Sequence, residues 1–400
     1  MAFALLRKAL GLNTEKKAVT LTDPAAWEIF GAIPTHSGVT VSAASALRVP
    51  AVACAAALIS ETIGTLPVKL RERDSKEEVR EHPAAALLNE EANPWTSAGQ
   101  LRAELTLDAL MQDRGGLALV VRGGSGTPAE IHRLDPQKVT QETAPDGEPL
   151  YTLQTAQGAR RVPFTDMVHV RPFGGIAPLT SAREAVGIAV QCERHLAGIF
   201  KNGGRPSGII RHQKPLDIEA KKRLAASWFN THSGPNSGGT AILDEGMDYV
   251  AISMSLADAQ FSENRVEQIR EIARAFRIPA PMIGELGRAT WSNLEQLNRQ
   301  FLQMTLAPWL RQWEAAYSRV LLSDEDRKRL RVEFVTDALL ETDAAARAAA
   351  YGQYRSMGAM TGNEVRAGLN LPHHPDGDSL SSPHITTPGA SAPAPDEIAA

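Results

Sequence analysis

The chain has 400 residues and 43% hydrophobic composition, enough for two to three domains around packed cores. Its 42 Lys and Arg against 46 Asp and Glu leave a net charge of -4, which excludes a protein that coats nucleic acid by bulk charge but not local basic patches. Two cysteines, Cys54 and Cys192, exclude a disulfide framework; each falls in an apolar helical pattern and is expected to be a buried free thiol.

Residues 1–45 read as an arm that mixes charge, Gly, Pro and Thr without sustained periodicity. Its start, MAFALLRKALGL, is broken by Arg7 and Lys8 too early for a secretory signal. No run nears the ~18 apolar residues of a membrane span, so a soluble protein of a reducing compartment is expected. PAVACAAALISETIG predicts a helix, with Pro50 in its first turn, Val52, Ala55, Ala56, Ile59 and Ile63 on one face and Gly64 as C-cap. Leu66 to Arg71 alternates as a strand does. Ser97 and Gln100 form a capping-box pattern ahead of the helix LRAELTLDALMQD, which Gly115 and Gly116 end. LALVVR, AEIHRL, KVTQET, PLYTLQT and VHVRPF then read as short strands joined by turns, one of them GGSG. With no helical crossover between them, region 66–173 is expected to be α+β with antiparallel strands.

SAREAVGIAVQCERHLAGIFKNGG predicts a helix of about five turns, with Val186, Ala189, Val190, Leu196, Ile199 and Phe200 on its apolar side. A small unit follows: strand GIIRH, helix LDIEAKKRLAASWFNT, then strands TAILD and YVAIS. A second long helix places Phe261, Arg265, Ile269, Ile272, Ala273 and Phe276 on one stripe, and Pro279 and Pro281 stop it. The polar loop GELGRATWSN leads to a longer helix that starts at Ser292 or Asn293, with Pro308 kinking or splitting it. A charged link, SDEDRKRLR, precedes the strand VEFV. Residues 337–371 read as Ala-rich helix with a capping box at Thr361 and Glu364, and the tail from Asp376 reads as disordered.

Signatures of chemistry are absent. There is no Walker A loop, no H-E-x-x-H and no G-x-S-x-G. His373 and His374, with Asp376 and Asp378 nearby, read as an exposed loop rather than a metal site. No cofactor is expected. The positive signal is local charge. From Arg183 to Lys214 six basic residues face two acids, a net of +4, and Lys221, Lys222 and Arg223 continue the trend.

Several stretches, taken together and in order, resemble the portal proteins of tailed bacteriophages, of the type found in lambdoid siphoviruses and gene transfer agents. They are SALRVPAVACAAALISETIGTLPVKL, HPAAALLNEEANPWTSAGQL, GGRPSGII leading to TAILDEGMDYVAIS, DAQFSENRVEQIREIARAFRIPAPMIGE followed by NLEQLNRQFLQMTLAPWLRQWE, and TGNEVRAGLNLP. The resemblance covers residues 38–372. It implies a ring, usually of twelve subunits, at one capsid vertex of the virion, assembled in the bacterial cytoplasm and lacking enzymatic activity of its own. Double-stranded DNA passes through its channel during packaging and ejection. The implied partners are the large terminase subunit, a head–tail adaptor and the major capsid protein, with no membrane.

The resemblance implies a portal-like α+β subunit: an arm at 1–45, a wing at 46–180, stem helices at 181–204 and 255–278 and a clip at 205–254. Residues 279–336 hold the hinge, a tunnel loop at 285–293, the long kinked helix and a wing strand; 337–375 are a short crown and 376–400 a tail. It points to Lys201, Arg205, Arg211, Arg288 and Trp291 as channel-facing and to Lys221, Lys222 and Arg223 as the adaptor or terminase contact. Trp291 has a second reading as an anchor of the loop on a neighbouring subunit. Phe301, Trp309 and Trp313 are expected to pack across a subunit boundary or against the wing. On the residues alone two other readings stay open: a head–tail connector or other structural ring protein, and a DNA-processing enzyme of uncommon fold.

Overall fold

A computed structural model describes residues 33–201, 208–212, 217–232, 247–251, 256–285, 294–336, 339, 344–369 and 371–380. The stretch TAILD, the loop from 286 to 293, the arm before residue 33 and the tail beyond 380 lie outside them. The chain forms two units, one from Met1–Ala289 with Gln303–Phe334 and one from Thr290–Leu302 with Val335–Ala400.

In the first unit, the end of the arm is a hairpin, Ile33–Pro34 paired with Thr40–Val41. Helix α1 (Pro50–Thr65) buries the anticipated face, Val52, Ala55, Ala56, Ile59 and Ile63. Gly64 is not its cap. It stays helical because α2 (Ala98–Met111) crosses α1 there, and a Cβ on Gly64 or Gly99 would meet the other's carbonyl oxygen at 2.9 or 2.7 Å. The last carbonyls of α1 are satisfied from α2 instead. Arg102, only 3% exposed, donates to Ile63 at 3.3 Å, Gly64 at 3.0 Å, Leu66 at 3.1 Å and also to Leu88. Ser97 accepts from the Gln100 N–H at 3.1 Å, but the Gln100 side chain bonds Glu104, so only half of the capping box forms.

The strands are β1 (Val68–Glu72), β2 (Gly116–Arg122), β3 (Pro128–Leu134), β4 (Val139–Thr143), β5 (Pro149–Thr155), β6 (Gly158–Val162) and β7 (Met167–Val170). The last six pair in the orders β7-β2-β3 and β6-β5-β4, all antiparallel as the turns require. Leu117, Val139, Tyr151, Val162 and Met167 form one core between the two sheets.

Two long helices follow, α3 (Pro178–Lys201) and α5 (Leu256–Phe276), which pack on each other. Between them lie β8 (Gly208–His212), α4 (Ile218–His232) and β9 (Met247–Ala251), with β8 and β9 antiparallel. Cys54 is exposed and Cys192 half-buried, against the expected burial. Cys54 sits off the α1 stripe, and Cys192 lies where α3 has left the core.

After α5, Pro279 and a left-handed Gly284 bound one 3-10 turn, Ala280–Ile283. Helical backbone resumes at α6 (Leu294–Gln300), becomes a π turn at Phe301–Leu306 and continues as α7 (Ala307–Leu321). Pro308 lacks the N–H that the Met304 carbonyl would take, so the ladder shifts one residue ahead of it. Trp313 is fully buried in the chain's own core and donates to Thr106 of α2 at 3.0 Å; Phe301 is buried and Trp309 half-buried. The charged link forms α8 (Asp324–Arg329), capped by Ser323, with its acids in the first turn and its bases in the last, as the helix dipole favours. β10 (Leu330–Phe334) then pairs antiparallel with β1.

The second unit holds α6, α9 (Ala344–Ser356) and α10 (Gly362–Gly368). Thr361 and Glu364 complete their capping box. Asn363 ties the His-rich loop, with its Nδ2 2.8 Å from His373 Nε2 and 2.7 Å from Asp378 Oδ1. Among the described residues no three His, Cys, Asp or Glu are placed to hold a metal, and no helix is long and apolar enough to cross a membrane.

Candidate nucleic-acid interface

Burial falls away along α3. Leu179, Ala182 and Val186 are buried, and the N-terminal hairpin crosses at Gly187, where a Cβ would meet Thr35 Oγ1 at 2.5 Å. From 188 to 198 no residue is buried. Helix α5 mirrors this: no described residue from 263 to 271 is buried, whereas Ile272, Ala273 and Phe276 are. Among the described residues the expected stripes are therefore buried only at the roots. Ala189, Val190, Leu196 and Ile269 are half-buried and Arg265 is exposed, because two helices side by side cover only part of each other.

Beyond this pair, Arg211 on β8 stands opposite Asp248 on β9. Both are exposed, so this cation has an opposite charge across the ladder. Helix α4 starts on Asp217, whose carboxylate accepts from the Ala220 N–H at 2.5 Å. Lys221, Lys222 and Arg223 are all exposed, and consecutive helical residues turn about 100° each. They wrap the helix rather than form a stripe. Lys222 also pairs with Glu219 at 3.3 Å. Lys201 is the last residue of α3; its side chain, Arg205, Arg288 and Trp291 lie outside the described residues.

Two features escaped the sequence reading. The exposed face of α5 carries a ladder: Arg270 with Glu285 at 3.0 Å and Glu267 at 3.5 Å, and Arg274 with Glu267 at 2.6 Å and with Glu271. Arg274 beside Glu267 holds that carboxyl below its usual range, and Glu285 raises Arg270. The i, i+3 spacing was visible, but the link to Glu285 needed the hinge. The second feature is an apolar patch. Phe173, 78% exposed, lies under the Arg277 guanidinium at 5.0 Å beside a cavity of about 260 Å³ that Ile176 and Trp309 also line.

A family model described as phage portal protein matches residues 50–370. The portal protein of Enterobacteria phage HK97 is 28% identical over 338 residues, 80% of this chain and 78% of that protein. The probable portal protein of Streptomyces phage phiC31 is 28% identical over 386 residues, 91% of this chain and 83% of its own. In fold, the chain is similar to a protein in the neck of an empty GTA particle, with a TM-score of 0.62 at 24% identity over 89% of this chain and 100% of that one. It is also similar to the crystal structure of an HK97 family phage portal protein from Corynebacterium diphtheriae, with a TM-score of 0.53 at 19% identity, covering 74% and 96%. With the family model matched from residue 50 to residue 370 of 400, the chain belongs to the phage portal protein family.

Proposed function

We propose that the chain builds the ring at one capsid vertex through which double-stranded DNA is packaged and later leaves. The observation that carries this reading is the helix pair α3 and α5, rooted in the core but with no buried residue at 188–198 or 263–271. Helices gain most of their stability from tertiary packing of one face, and neighbouring copies in a closed ring supply such packing. The neck of a native GTA particle, a fold neighbour with a TM-score of 0.59, was computed with twelvefold symmetry, and twelve copies are proposed here. In this reading 46–180 is the wing, 181–204 and 255–278 the stem, 205–254 the clip, 285–293 the tunnel loop and 337–375 the crown.

Lys201, Arg205, Arg211, Arg288 and Trp291 then face the channel. Every phosphate held by Lys or Arg adds salt-dependent affinity, so a few cations per subunit, offset by paired ladders such as that on α5, favour passage over grip. Lys221, Lys222 and Arg223 face the large terminase subunit or the head–tail adaptor, and the major capsid protein surrounds the ring. The role is structural rather than catalytic, and assembly takes place in the bacterial cytoplasm. Native mass spectrometry and negative-stain microscopy of the purified protein test the reading. Closed rings with a duplex-wide channel are expected; a monomer that cuts DNA with a metal ion would overturn it.

A further inference from the structure

Arg171 follows strand β7, away from the exposed length of the helix pair. Its Nε donates to His169 Nδ1 at 3.1 Å and its Nη2 to the Tyr151 hydroxyl at 3.2 Å. His169 points Nε2 at the Arg114 carbonyl, 2.9 Å away, so Nε2 carries the ring proton and Nδ1 is an acceptor. Both partners of Arg171 are therefore neutral, and they hold its guanidinium in place without cancelling its charge. From α7, Gln312, Ala315, Ala316 and Arg319 stand at i, i+3, i+4 and i+7 on one face. These residues, with His169 and Arg171, line an open cavity of about 330 Å³.

Among the described residues no carboxylate pairs with Arg171 or Arg319. Two like charges beside one concave surface raise its positive potential. Arg319 lies in the last turn of α7, where a cation suits the helix dipole, but that does not account for Arg171, which is on no helix. We propose that this cavity binds a phosphate dianion, either inorganic phosphate or the terminal phosphate monoester of a nucleic-acid end. Arg171 and Arg319 offer planar forks to its oxygens and Gln312 a neutral donor. The small side chains of Ala315 and Ala316 keep the space open. A carboxylate would answer only one of the two charges. The inference goes beyond the ring reading and does not depend on it.

Calorimetric titration of the full-length protein with inorganic phosphate, and with an oligonucleotide carrying either a 5′-phosphate or a 5′-hydroxyl, tests the site. Saturable binding of at least one phosphate ligand is expected, weakened about tenfold or more in Arg319→Ala and less in Arg319→Lys, as for loss of one charge-assisted bond. Preference for the 5′-phosphate over the 5′-hydroxyl assigns the ligand to a nucleic-acid end; binding of inorganic phosphate without that preference assigns it to the free ion. If Arg319→Ala disturbs assembly, Ala315→Leu fills the cavity with both charges intact and is expected to show the same loss. No saturable binding of any phosphate ligand, or unchanged affinity in Ala315→Leu, overturns the site. The shape of the assembly by microscopy is read separately, so failure here is distinct from failure of the ring.

Discussion

His169 accepts at Nδ1 from Tyr151, donates at Nε2 to Arg114 and has Arg171 and Arg319 for charged neighbours. Burial, aided by the two guanidinium groups and opposed by the Arg114 carbonyl, pushes its pKa down to about 4. In the unfolded chain the ring takes a proton near pH 6.5, at about the ordinary value. Its contribution to stability is therefore full above about pH 6.5 and is lost as pH falls toward 4, by about 3 kcal/mol in all. Urea unfolding at pH 7 and pH 4.5 checks this; His169→Gln is expected to have a flatter profile across that window. Arg102 matters in another way, because it is the partner of carbonyls that water does not reach. Arg102→Met is expected to cost about 3 kcal/mol or more, read as a lower urea midpoint at unchanged m. Arg102→Lys should recover little, since an ammonium lacks the guanidinium fork.

At the scale of elements, the approach of α1 to α2 depends on having no side chain at either Gly64 or Gly99. Gly99→Val is expected to separate the helices and cost about 2 kcal/mol as overpacking, measured as a fall in thermal midpoint. A wild-type midpoint would mean that the helices slide apart freely. Local rules placed α1, α2 and most strands, whose stripes and turns lie close together in sequence. They failed where partners are remote: Gly64 reads as a cap because Gly99 is invisible from its neighbours, and Gln100 reads as a box partner although Glu104 competes for it. The π turn before Pro308 was legible as a disruption, since proline always removes a donor; the kind of disruption was not.

At the scale of the whole molecule, the antiparallel pairing of β10 with β1 and the Trp313–Thr106 bond return the C-terminal half of the first unit to its start. Trp313 is thus a core residue packed on α2, inside 46–180, which matches the second of the two placements expected for it rather than a subunit boundary. If the 285–293 loop lines the channel, Arg288→Ala with Trp291→Ala should leave rings intact in negative stain while lowering the DNA retained per particle. Normal DNA content in that double variant would remove the loop from the channel. Lys221→Glu with Lys222→Glu and Arg223→Glu should likewise spare the ring and lower packaging, read as encapsidated DNA, if that helix meets the terminase.

The residues alone determined the antiparallel α+β region, the long helices and their proline stops, the capping box at Thr361, the missing nucleotide-binding loop and the resemblance to portal proteins. Each depends on short-range chemistry: side-chain period, a proline without its N–H, a glycine at a turn, or motifs in fixed order. Tertiary structure decided that the described residues of α3 and α5 are buried only at the roots, that Cys54 is exposed and that Arg102 serves α1 from α2. It also brought Arg171 and Arg319, 148 positions apart in the chain, to one cavity. The physical reason is common to all four. Burial and charge pairing are properties of groups brought together by the fold, and no local pattern records which distant group arrives.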